Sequence, residues 1–120
     1  MITVACVLRK GGKVGYDASW VEKLHNSISR NLTKPFKFVC LSDCEVPVER
    51  IPLDNIGSGY WAKLQLFKKG LFNGPVLFFD LDTVICENID QFVENMMSQS
   101  DFLMWKDPDY KISSSAIMYW

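Results

Sequence analysis

Four apolar residues, Val76-Leu77-Phe78-Phe79, follow Gly74-Pro75 and run straight into Asp80-Leu81-Asp82-Thr83-Val84-Ile85. An unbroken apolar run bounded in this way reads as a strand buried on both faces. Carboxylates at the end of such a strand are costly to bury unless they are paired or bound to a cation. Side chains alternate along a strand, so this reading aims Asp80 and Asp82 to the same side. In an open α/β sheet, ligands sit just beyond the carboxyl ends of the strands. Two convergent carboxylates there suit a hard divalent cation and, through it, a phosphate. A single Asp at a strand end is commonly only a turn former or a helix cap. A pair flanked by apolar residues on both sides argues for more.

The remaining chain alternates strand and helix around that run. Residues 2–8 are apolar and β-branched, a first strand, followed by the basic, glycine-rich loop Arg9-Lys10-Gly11-Gly12-Lys13-Val14-Gly15. Asp17 or Ser19 can cap a helix running to about Asn31, with Trp20, Val21, Leu24, Ile28 and Leu32 at helical spacing. Pro35 stops it. Phe36-Lys37-Phe38-Val39-Cys40-Leu41 is a second strand ending in Ser42-Asp43, and Val48-Glu49-Arg50-Ile51 a short third. Asn55 to Gly59 reads as a loop. Tyr60 to Leu71 reads as a helix whose Trp61, Leu64 and Phe67 face the core. After the acidic pair, Asp82 to Ile85 resumes as a short strand. A helix starts at Asn88 or Asp90 and runs to about Met97, and Phe102–Trp105 and Ser113–Trp120 are two last strands. The pattern predicts one α/β domain over residues 1–120, with a mainly parallel sheet flanked by helices.

Composition narrows the function. A net charge of -1 gives no electrostatic footprint for nucleic acid. No apolar run approaches the roughly 20 residues that span a bilayer. The apolar N-terminus lacks the basic flank of a signal peptide and reads as the first strand. Cys6, Cys40, Cys44 and Cys86 show no zinc spacing, and His25 is the one histidine. Reduced thiols and a cytoplasmic setting follow from that reading. Three predicted strand ends, at Arg9, at Asp43 and at Asp80-Leu81-Asp82, open onto one crevice if the strands are parallel neighbours. Backbone N–H groups and cations meet phosphates there, and carboxylates hold a metal or a ribose hydroxyl.

Phe79-Asp80-Leu81-Asp82-Thr83-Val84-Ile85, preceded by Tyr60-Trp61-Ala62-Lys63-Leu64-Gln65-Leu66-Phe67, resembles the nucleotide-binding half of GT-A-type glycosyltransferases. The likeness is to bacterial and phage proteins related to the glycogenin-like and lipopolysaccharide sugar transferases. Leu8-Arg9-Lys10-Gly11-Gly12 and Cys40-Leu41-Ser42-Asp43 are similar to that group's first two strand ends. The resemblance implies a Rossmann-like fold and a nucleotide-diphosphate sugar as ligand. It makes Asp80 and Asp82 the Asp-x-Asp motif holding manganese or magnesium, with Asp82 the direct ligand and Leu81 between them at the donor. It puts Lys63 against the motif carboxylates or the donor. It lines the nucleoside pocket with Val7, Leu8 and Arg9, sets Asp43 beside the base, and brings Ser113, Ser114 and Ser115 to the donor sugar or acceptor.

The resemblance stops at the donor side. Full transferases of this type run to roughly twice this length, and a third metal ligand, the acceptor site and any base come from the second half. The expectation is therefore a truncated fold: a donor-binding half, or a non-catalytic nucleotide-sugar-binding remnant or interaction module. Its apolar last strand would lie uncovered and pair with another copy. Asp80-Leu81-Asp82-Thr83-Val84 also fits the nucleophile motif of haloacid-dehalogenase-like phosphatases, where the first Asp attacks phosphorus. Those enzymes carry it on their first strand, which weighs against that alternative.

Overall fold

A computed structural model of the chain describes residues 1–12, 14–55 and 59–120. Lys13 of the basic loop and Ile56-Gly57-Ser58 of the expected loop lie outside the described residues. The elements in order are β1 (Ile2–Leu8), α1 (Ala18–Asn31), β2 (Phe36–Ser42), β3 (Glu49–Pro52), a 3-10 helix (Gly59–Phe67), β4 (Val76–Phe79), α2 (Asp90–Met97), β5 (Leu103–Lys106) and β6 (Ser113–Tyr119). They build a small α/β domain on a six-stranded sheet of order β3-β2-β1-β4-β6-β5.

The sheet is mixed rather than mainly parallel. β3, β2, β1 and β4 pair in parallel, but β6 is antiparallel to both β4 and β5. For β5 and β6 the reason is connection length. The turn from β5 to β6 spans only residues 107–112, too short for the crossover that a parallel pair needs. β6 also lies between β4 and β5, so it is not the uncovered strand expected from the sequence; the sheet edges are β3 and β5.

β1 and β4 are buried on both faces, and alternation sorts their side chains into two cores. Ile2, Val4, Cys6, Leu8, Leu77 and Phe79 meet Val21, Leu24 and Ile28 of α1 and Val93 of α2. Ala5, Val76 and Phe78 meet Val39, Leu41, Met118 and Leu66 of the 3-10 helix. α1 forms where the sequence asks for it. Asp17 caps it by accepting from the Ser19 N–H at 2.9 Å, and Val21, Leu24 and Ile28 recur on one buried side. The Asn31 side chain donates to the carbonyls of Ser27 and Ile85, at 2.8 and 3.3 Å, so it ties α1 to the segment after the acidic pair. Thr33 donates from its backbone N–H and its hydroxyl to Asp90, which fastens the end of α1 to the start of α2 and holds the Asp90 carboxyl below its usual range.

Two local expectations fail. The helix expected over Tyr60 to Leu71 is a 3-10 helix that ends at Phe67, and Gly70 at φ +80 turns the chain back toward β4. Residues 82–85 form no strand. The Thr83 N–H donates to the Asp80 carbonyl at 3.0 Å, which closes a turn, and Val84 is exposed. The apolar character of Thr83-Val84-Ile85 is strand-like, but no neighbouring strand is placed to receive it. No helix among the described residues is long and apolar enough to cross a membrane.

Candidate functional site

The parallel order β2-β1-β4 brings three strand ends together at one edge of the sheet, at Asp43, Arg9 and Asp80. The strand that carries the acidic pair stops at Phe79, so alternation does not govern Asp80 and Asp82. They sit on the turn, and each is approached from its own side.

Asp80 belongs to the side of the 3-10 helix. Lys63 Nζ donates to Asp80 Oδ1 at 2.7 Å, with the two side chains about one-quarter and one-third exposed. The same ammonium reaches Ser115 Oγ at 3.1 Å and the Ser115 carbonyl at 3.3 Å. It also lies 5.0 Å from the centre of the Phe78 ring, a cation–π contact that holds the stem in place. The main chain of Asp80 is fixed as well, its N–H donating to the Ala116 carbonyl at 2.9 Å. Asp80 is therefore held from below by β4, from the side by β6 and from above by Lys63.

Asp82 belongs to the side of α1 and is exposed. Tyr16 OH donates to Asp82 Oδ2 at 3.2 Å. Burial, then the Asp82 charge, then its hydrogen bond, then the Asp80 charge push the Tyr16 phenol up from its ordinary value. The phenol thus senses the charge of both carboxylates, Asp82 the more strongly. Trp20 meets the Tyr16 ring edge-on at 4.9 Å and fixes its tilt. Tyr16 is the residue that sequence reasoning missed. Its signal was its place: directly after Gly15, whose φ of +70 turns the loop, and directly before the Asp17 cap.

The other predicted residues divide. Asp43 accepts from the Lys10 N–H at 2.9 Å, so the glycine-rich loop after β1 is anchored to the end of β2. Arg9 is half-buried. Val7 is half-buried on the face of the 3-10 helix. Leu8 and Leu81 are buried in the α1 core, so both support the edge from beneath. Ser115 joins Lys63, while Ser114 turns its Oγ to accept from the Ala116 N–H at 3.2 Å and Ser113 is exposed on the outer part of β6.

The site is an open ledge. The cleft of about 240 Å³ lined by Leu41, Ile51, Gln65 and Lys68 lies beneath the β2–β3 side and includes neither Asp80 nor Asp82. Among the described residues, no three His, Cys, Asp or Glu side chains gather into a metal-binding group. Asp80 and Asp82 nevertheless offer hard oxygen donors, each with one oxygen outside the bonds named above. That donor set fits a magnesium- or manganese-type ion, which commonly takes one or two carboxylates and completes its shell with water and ligand phosphates. No family model matches the chain, and no curated protein matches it. The class defined by fold and site is thus a small α/β domain with a mixed sheet and a doubly supported acidic turn at its carboxyl edge.

Proposed function

We propose that this chain binds a nucleoside-diphosphate sugar at the carboxyl edge of β1, β2 and β4, as the donor side of a metal-dependent glycosyl transfer. The observation that carries the reading is the acidic turn with its two supports, Lys63 on Asp80 and Tyr16 on Asp82. A solvated turn former needs no partly buried ammonium and no phenol to hold it.

Asp80 and Asp82 would hold a divalent cation, which offsets the charge that develops on a departing diphosphate. The residues of the chain supply the rest. Lys63 holds Asp80 in place at the strand end, and would add positive charge beside the leaving group. Tyr16 restrains Asp82, whose exposed carboxylate would otherwise sample several rotamers. Asp43 fixes the start of the glycine-rich loop by accepting from the Lys10 N–H, and N–H groups at that strand end would meet phosphate or ribose. Ser115, already on Lys63, stands where a donor sugar would reach β6.

Titration calorimetry with UDP-glucose and GDP-mannose, with and without manganese, tests this, followed by a donor-hydrolysis assay. Metal-dependent binding is expected, and Asp82→Ala is expected to abolish it while leaving the thermal unfolding midpoint in place. Binding without turnover points to a binding role without transfer. If Asp82→Ala binds donor as well as the parent chain, the metal site is wrong.

A further inference from the structure

Arg9 follows the last residue of β1, one position past the pair Leu8–Ser42. Its Nη1 is buried and has no hydrogen-bond partner among the described residues, the one side-chain nitrogen or oxygen of which this is true. A guanidinium is always charged and only donates, so its missing partner must be an acceptor. A buried charged donor left alone costs more than a neutral one, which favours an anion over a neutral carbonyl. The nearby carboxylates do not serve. Asp43 takes the Lys10 N–H, Asp80 takes Lys63 and Asp82 takes Tyr16, and none of them forms an ion pair with Arg9.

Place in the chain and local charge both bear on which acceptor is missing. Arg9 follows directly on β1, whose Ala5 and Val7 share a core face with Phe78, the ring beside Lys63. The β1–β4 register runs through Ala5–Phe78. β1 ends at Leu8 and β4 at Phe79, so Arg9 and Asp80 each leave their strand at the same edge of the sheet. Asp43, Asp80 and Asp82 are balanced at this edge by Arg9, Lys10 and Lys63. Adding a dication leaves an excess of two positive charges, the complement of a nucleotide-sugar diphosphate.

We infer that Arg9 is a second phosphate anchor of the site, taking phosphate oxygens of the nucleotide independently of the cation. The inference rests on the nucleotide-binding reading above and adds a component of affinity that survives chelation.

The test uses the full chain with UDP, uridine and inorganic pyrophosphate, each titrated with manganese and with EDTA. UDP and pyrophosphate are expected to retain weak binding in EDTA, with uridine far weaker. Arg9→Met is expected to lower UDP and pyrophosphate affinity about tenfold in both conditions, as for loss of a charge-assisted pair, and Arg9→Lys to recover part of it. Ligand-free Arg9→Met is expected to unfold no earlier than the parent, because it removes a donor nitrogen that is buried without a partner. That opposition of stability and affinity separates an anchor from a packing residue. The inference is overturned if Arg9→Met leaves pyrophosphate binding unchanged, if its loss falls on uridine instead, or if no binding survives EDTA. Manganese-dependent binding that persists unaltered in Arg9→Met sinks this inference alone. Absence of any nucleotide binding in the parent chain sinks the donor-site reading with it.

Discussion

The two helical coverings of the sheet were read from the same kind of pattern and came out opposite. In α1, Val21, Leu24 and Ile28 are buried as their spacing requires. In the 3-10 helix, Trp61, Leu64 and Phe67 are 61, 56 and 43% exposed, although their spacing had marked them as core. The difference is in the period. Positions 61, 64 and 67 repeat every three residues, and side chains at i and i+3 eclipse in a 3-10 helix. They form one straight stripe, and here the stripe faces out while Ala62 and Leu66 face the sheet. α1 uses spacings of three and four, which wrap an α-helical face. The end of the stripe is not idle. Phe67 stacks against Trp120 at 4.6 Å and Phe102 at 5.7 Å, an aromatic cluster at the β5–β6 side.

The largest expected effect tests that contrast directly. Leu24→Ala should lose about 2–5 kcal/mol of stability in urea unfolding, as for other buried leucines. Leu64→Ala, the same change on the other covering, should stay within about 0.5 kcal/mol. Equal losses would mean that the 3-10 helix packs by its apolar stripe after all.

A middle-sized effect sharpens the comparison at the ledge, where each covering supports one carboxylate. Lys63→Met removes a partly buried, charge-assisted bond and leaves Asp80 without its cation, so a loss of about 1–3 kcal/mol is expected. Tyr16→Phe removes a neutral hydroxyl from an exposed carboxylate and should lose well under that. Both should weaken manganese affinity, Lys63→Met through the position of Asp80 and Tyr16→Phe through that of Asp82. If Tyr16→Phe proves the more destabilising of the two, the support of the pair has been assigned to the wrong side.

This division explains what was legible in the chain. Residues 2–8, the Asp17 cap and the run Val76–Phe79 were readable because local pattern and burial agree there. The acidic pair was readable for the same reason: it breaks an apolar strand at the edge where ligands sit. The mixed sheet was not, because the place of β6 depends on pairing between Phe78 and Met118, forty residues apart. Nor were the partners of the pair. Lys63 was placed near the motif only through a family resemblance, and Tyr16 lies 66 positions from Asp82, where no spacing rule reaches. Side-chain alternation does not set the two carboxylates side by side, since the strand has already ended at Phe79.

The smallest expected effect is spectroscopic and isolates the α1 side of the ledge. The phenol of Tyr16 is pushed up first by burial and then by Asp82. Its proton is therefore held more tightly folded than unfolded. The stability it contributes is whole below the ordinary phenol value of about 10 and is lost as pH rises past it. Asp82→Asn removes the charge but not the burial, so the midpoint should fall toward 10 without reaching it. Alkaline absorbance titration reads this, with Tyr16→Phe subtracted to remove the chain's three other tyrosines. An unmoved midpoint in Asp82→Asn would separate the phenol from the carboxylate, and with it the α1 side from the acidic turn; a downward shift also on adding manganese to the parent chain would place the cation on the carboxylate that Tyr16 holds.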